Sequence, residues 1–162
     1  MLRPLIGVKL DGTTLAEVDD HGGIGTPSWG PAALLRDLEL RLGLPVFDTS
    51  DVLRAHQWSA RLAALLDEEL FYARSYRVDP LGTAEMLLSY RDDLLDSGWD
   101  GRSVPGGGDR LDALAALESL REPELMPGPA DRLASVEVEL AFRHDSPYDE
   151  LVFVDDRRPR SA

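Results

Sequence analysis

Proline opens and glycine closes the leucine-rich stretches of this chain, and that punctuation restricts it to a set of short, separately bounded helices. From Pro31 to Leu42, Leu34, Leu35, Leu38 and Leu42 recur at the spacing of one helix face. Pro31 suits the first helical position, where its missing N–H would have no partner anyway. Gly43-Leu44-Pro45 is a stop: glycine takes the left-handed cap, Leu44 folds back on the last turn, and proline cannot continue. The same grammar recurs at Asp79-Pro80, a cap followed by a first-turn proline, and at Gly98-Trp99. Between them Leu81, Ala84, Leu87, Leu88 and Leu95 form an apolar face. A further helix starts at the Thr49-Ser50-Asp51 cap cluster and runs to about Asp67, with Leu53, Trp58, Leu62 and Leu65 as its buried stripe. Another follows the Pro-Gly-Gly-Gly stretch at 105–108, capped by Asp109, with Leu111, Leu114, Ala115, Leu117 and Leu120 facing inward. The last opens at Gly128-Pro129 and reaches roughly Phe142.

Strand signals are confined to the two ends. PLIGVKL, residues 4–10, has the apolar members Leu5, Ile6, Val8 and Leu10, and Asp11-Gly12 turns the chain after it. Leu151 to Val154 is a continuously apolar run bounded by acids, which suits a buried parallel strand. Residues 16–30 read as an acidic, then glycine-rich loop. The expected fold class is therefore α/β and predominantly helical, with four or five helices and two short parallel strands that belong to a larger sheet. One domain is expected over residues 1–156, with 157–162 a polar, frayed tail.

The chain's 162 residues are enough to bury a core. Seventeen basic residues stand against thirty acidic ones, a net charge of −13 that repels a phosphate backbone and lacks the footprint of an autonomous nucleic-acid binder. Lys9 is the only lysine, so almost nothing here can serve as a catalytic amine. Without cysteine there are no disulfides and no thiolate-bound metals. No apolar run approaches the roughly 20 residues of a membrane span, and the N-terminus lacks the long apolar core of a signal peptide. The expected location is the cytoplasm.

One segment imitates a nucleotide site. In GTPSWGPAALL, residues 25–35, Gly25 and Gly30 are five apart, as in the phosphate loop G-x-x-x-x-G-K-[ST]. The lysine position holds Pro31 and the hydroxyl position holds Ala32, so nothing can grip an outer phosphate or ligate Mg²⁺. The segment reads as a helix start or as a decayed loop that is not expected to bind. His21, His56 and His144 lack metal-ligand spacing, and no metal or cofactor is expected. Asp67-Glu68-Glu69 and Asp92-Asp93 are adjacent acids that point in different directions on a helix. Asp155-Asp156 ends a strand, where α/β enzymes place ligands, but the acid-x-Lys partner of a PD-(D/E)XK nuclease is missing. No G-x-S-x-G elbow is present, and no catalytic residue is assigned. Tyr72, Arg74, Tyr76 and Arg77 form the one basic–aromatic cluster. Tyr72, Arg74 and Arg77 are candidates for holding a nucleic-acid strand by stacking and phosphate contact. The alternative is rings packed under the next helix and arginines paired with acids.

The stretch FYARSYRVDPLGTAEMLLSYRDDLLDSGWDG at 71–101, preceded by WGPAALLRDLELRLGL and followed by RLDALAALESL, resembles the N-terminal region of large bacterial AddB/RecB-like proteins. These are PD-(D/E)XK nuclease family proteins that carry an inactivated superfamily I helicase region. The resemblance spans about residues 29–155 and rests on the order of these words. It implies DNA-end processing in repair, recombination or defence by a long multidomain protein. None of that family's catalytic residues can be placed on this chain. The expected role is a non-catalytic, degenerate helicase-like N-terminal domain that packs on other domains or subunits of a helicase–nuclease assembly and touches DNA through Arg74 and Arg77. The alternative is an acidic interaction module, or a DNA mimic, that binds a basic partner.

Overall fold

A computed structural model describes residues 4–8, 28–47, 50–143 and 146–153. Asp11-Gly12, Asp155-Asp156 and the tail at 157–162 lie outside the described residues. The chain is predominantly helical, with short parallel strands. The order is β1 (Leu5–Ile6), β2 (Ser28–Trp29), α1 (Pro31–Leu42), α2 (Asp51–Ala64), α3 (Ala73–Val78), α4 (Pro80–Asp96), α5 (Asp109–Glu118), α6 (Pro129–Phe142) and β3 (Val152–Phe153). It divides into two compact units, Met1–Val46 with Leu133–Ala162, and Phe47–Arg132.

In the first unit β1 is the central strand of a three-stranded parallel sheet, order β2-β1-β3. Leu5 lies opposite Ser28 and Val152, and Ile6 opposite Trp29 and Phe153. The strands expected at 4–10 and 151–154 thus form, each as a two-residue core. β2 corrects the loop reading of 16–30: Ser28-Trp29 enters the sheet although serine, glycine and proline surround it, because β1 offers it a partner. The chain passes from β2 through Gly30 into α1, whose first ladder bond runs from the Leu34 amide to the Gly30 carbonyl at 2.9 Å. Gly43 closes α1 with φ of 73°. The Gly43 amide donates to the Leu40 carbonyl and the Leu44 amide to the Glu39 carbonyl at 2.9 Å, a paired closure that satisfies the last carbonyls. Arg143 Nη2 donates to the Leu42 carbonyl at 2.8 Å and neutralises the same negative helix end. Buried Tyr148 donates its hydroxyl to Asp37 on α1 at 2.6 Å and sets its ring 6.1 Å from that of Trp29. Burial, and then the Asp37 carboxylate, push that phenol's pKa up.

The second unit is held by α2 packed along α4. Its core is Trp58, Leu62, Tyr72, Ala84, Leu87, Leu88, Leu114 and Leu117. The caps work as the side chains dictate. Ser50 accepts from the Leu53 amide at the start of α2, and Asp79 accepts from the Gly82 amide at 2.9 Å at the start of α4. Gly98, at φ 91°, closes α4 with the Trp99 amide on the Leu94 carbonyl at 2.9 Å, repeating the closure of α1. At α5 the cap is Gly108, and Asp109 is the first helical residue, where its charge complements the helix dipole. α3 is a further helix, six residues that begin after Tyr72, carry Arg74, Tyr76 and Arg77, and end before Asp79. Among the described residues no helix is long and apolar enough to cross a membrane.

The expected stripe of α2 needs one correction. Trp58 and Leu62 are buried, but Leu53 is 46% exposed, and its place is taken by Arg54 and Ala55 at 3% and 1%. The buried face of α2 is therefore Arg54, Ala55, Trp58, Arg61 and Leu62.

Candidate functional site

Three arginines lie at core positions of the second unit: Arg54 and Arg61 on α2 and Arg91 on α4. Each occupies the helical register of its apolar neighbours, Arg54 and Arg61 four before and three after Trp58, Arg91 three after Leu88. A guanidinium in such a place must find acceptors for its five donors, because water is excluded. Arg91 Nε and Nη2 take both carboxylate oxygens of Glu118 at 3.0 and 2.7 Å. Its Nη1 and Nη2 also donate to Asp131 at 2.8 and 2.6 Å, and Nη1 to Asp92 at 2.9 Å. Arg54 takes Asp92 bidentately at 2.8 and 2.9 Å and donates through Nε to the Met126 carbonyl at 3.1 Å. Arg61 donates to the Pro123 carbonyl at 2.9 Å and the Leu117 carbonyl at 3.4 Å. Its guanidinium stands 5.9 Å over the Trp58 ring.

The consequence for the backbone is specific. Arg54, Gln57 and Arg61 share one face of α2, and each binds the irregular connection between α5 and α6, Gln57 by accepting from the Met126 amide at 2.9 Å. Gly128 ends that connection. Its amide donates to Asp131 at 2.8 Å, and a Cβ there would collide with the Arg54 guanidinium.

The electrostatics agree with a fastening role. Burial pulls the Arg91 pKa down, but the hydrogen bonds and charges of Glu118 and Asp131 outweigh it and hold the guanidinium firmly protonated. Burial pushes Asp131 up, but the hydrogen bond and charge of Arg91 prevail and hold it below the ordinary carboxylate value. Burial lowers Arg61. Asp131 held in this way is a poor proton acceptor, and the Arg91 guanidinium does not deprotonate. The set binds parts of one unit together.

A pH dependence follows. Because Asp131 is depressed in the folded state, its contribution to stability is complete above the unfolded carboxylate pKa of about 4 and is lost as pH falls through the lower folded value. Asp131→Asn should therefore be clearly less stable than wild type at pH 7. That gap should narrow below about pH 4, as read from urea midpoints at both pH values. A gap independent of pH would mean that the charge of Asp131 contributes nothing.

The predicted site residues are not brought together. Tyr72 is 2% exposed; its hydroxyl donates to the Leu62 carbonyl at 3.3 Å and its ring meets Phe71 and Tyr76 edge-on. A ring so enclosed offers no face to a base. Tyr76 likewise donates inward, to the Ser59 carbonyl at 2.8 Å. Arg77 is exposed and pairs with Glu68 at 3.1 Å. Arg74 is exposed and makes no ion pair among the described residues. It borders a shallow groove of about 420 Å³ with Val78, Gly82 and Met86.

Gly25 lies outside the described residues, and so do His21 and His144. Gly30 is buried and caps α1 in extended geometry, φ −83° and ψ −178°. β2 lies inside the glycine-spaced segment, where a phosphate loop would need its cradle of free amides. His56 is exposed on α2. Among the described residues no group of three or more histidines, cysteines or acids is placed to hold a metal ion. Comparison of the chain with protein-family models, curated proteins and solved structures returned no match.

Proposed function

We propose that this chain is a non-catalytic, degenerate helicase-like domain of a cytoplasmic DNA-processing helicase–nuclease, and that its work is to pack against other domains or subunits. The observation that carries the reading is the path β1, β2, Gly30, α1. A parallel strand runs into a helix where a nucleotide-binding domain would hold its phosphates, yet proline and alanine stand where lysine and a hydroxyl are needed. A parallel sheet of two-residue strands supports a domain that other polypeptide completes, since parallel sheets are covered on both faces. The resemblance of residues 71–101 supplies the DNA-processing context. Any DNA contact on the aromatic segment falls to Arg74 and Arg77, because the Tyr72 ring is enclosed.

The test is nucleotide and DNA binding. The purified chain should show no micromolar affinity for ATP with Mg²⁺, and such affinity would overturn the degenerate-domain reading. In the full assembly at low salt, Arg74→Glu with Arg77→Glu should weaken DNA binding several-fold. Unchanged binding would remove the DNA contact and leave packing as the domain's role.

A further inference from the structure

We propose that the groove between the start of α2 and the middle of α4 is a docking site for a basic amphipathic segment of a partner protein. The groove has a volume of about 360 Å³. Ala55 and Leu88, both buried, form its floor, and Val52, 61% exposed, stands at its mouth. Asp51, Glu85 and Asp93 line the rim. Glu85 and Asp93 are eight residues apart on α4, two turns along one face, and Asp51 faces them from α2.

Charge complementarity identifies the occupant. Arg54 is the one cation in the lining, and its donors are engaged by Asp92 and the Met126 carbonyl. Asp51, Glu85 and Asp93 make no ion pair among the described residues, whereas Asp92, Glu118 and Asp131 in the same unit are each held by arginine. The rim therefore presents three carboxylates without an ion-pair partner among the described residues, around an apolar floor. Arginine or lysine side chains pair with such a rim, while an aliphatic side chain from the same segment covers Val52 and the floor. A helix that lays one face into a groove meets this pattern with anchors at three- and four-residue spacing. An acidic or phosphate-bearing ligand is repelled. The inference stands on this groove alone and does not need the helicase-like reading.

The probe is a fluorescein-labelled peptide of about 14 residues with arginines on one helical face and leucines on the other. A peptide of the same composition in scrambled order is the control. Anisotropy titrations use the full chain, wild type and the variants Glu85→Lys with Asp93→Lys, and Val52→Asp. All three positions are exposed, and the side chains of Glu85 and Asp93 make no hydrogen bond among the described residues, so melting temperature and circular dichroism verify the fold directly. The amphipathic peptide should bind wild type at low salt and weaken as salt rises. Its affinity should fall about tenfold or more in the charge-reversed variant and measurably in Val52→Asp. Absence of binding, equal binding of the scrambled peptide, or unchanged affinity in the charge-reversed variant would each overturn the proposal.

Discussion

Arg91→Ala should lower the unfolding free energy by about 3–5 kcal/mol, read as a fall in urea midpoint at unchanged slope. The physical cause is what the arginine leaves behind. Glu118 and Asp131 each give both carboxylate oxygens to Arg91, and both are largely shielded from water. Without the guanidinium, two neighbouring negative charges face each other in a site of low effective dielectric. Asp131 would keep the longer approach to Arg54, 3.7 Å, and the Gly128 amide, neither of which replaces a bidentate guanidinium. Removing the charges as well separates this cause from lost packing. Arg91→Met with Glu118→Gln and Asp131→Asn should recover most of the loss, because the apolar stem is retained and no charge is stranded. If the triple variant is no more stable than Arg91→Ala, the loss comes from packing and the stranded-charge account fails.

Trp58→Ala should be about as severe, again about 3–5 kcal/mol, because the side chain is fully buried at the centre of the second unit's core. Trp58→Phe discriminates two contributions. The indole Nε1 is buried and has no acceptor among the described residues. A buried donor left unpaired costs about 1–3 kcal/mol. Phenylalanine leaves a void, which destabilises, but it removes that donor, which stabilises. The two effects oppose, so Trp58→Phe should lose no more than about 1–2 kcal/mol by calorimetry or urea melts. A loss as large as that of alanine would mean that the indole N–H has an acceptor, such as a bound water, in solution.

The sequence was most legible where backbone chemistry acts locally. Pro31, Asp79-Pro80, Gly43-Leu44 and Gly98-Trp99 set helix ends within their own few residues, and the helices begin and end there. Strand content was harder to read. β2 holds two residues in a glycine-rich stretch, and only its pairing with β1 makes it a strand. α3 is hard to read because six residues of alanine, arginine, serine, tyrosine and valine carry no periodicity to detect. The buried faces of α2 and α4 were read from apolar residues alone. That rule promoted Leu53 and overlooked Arg54, Arg61 and Arg91. A signal was present, since those arginines fall on the stripes of Trp58 and of Ala84, Leu87 and Leu88. Apart from Asp92 beside Arg91, their acceptors lie 27 to 72 residues away, and no local pattern names them. The members of the basic–aromatic cluster do not share one face, for a related reason. Residues adjacent in sequence face different ways on a short helix, so Tyr72 turns inward while Arg74 and Arg77 turn out.

The strapping of the α5–α6 connection onto α2 also fixes when this unit can be completed during synthesis. A ribosome emits Arg54 72 residues before Met126 and Arg61 62 residues before Pro123. Until those carbonyls leave the exit tunnel, Arg61 and the Nε of Arg54 lack the acceptors they bind in the folded unit, although Asp92 on α4 is already within reach of Arg54. The α2–α4 pair therefore has partners before the connection is made, and the stretch from Pro123 to Asp131 is the last part of the unit to be fastened.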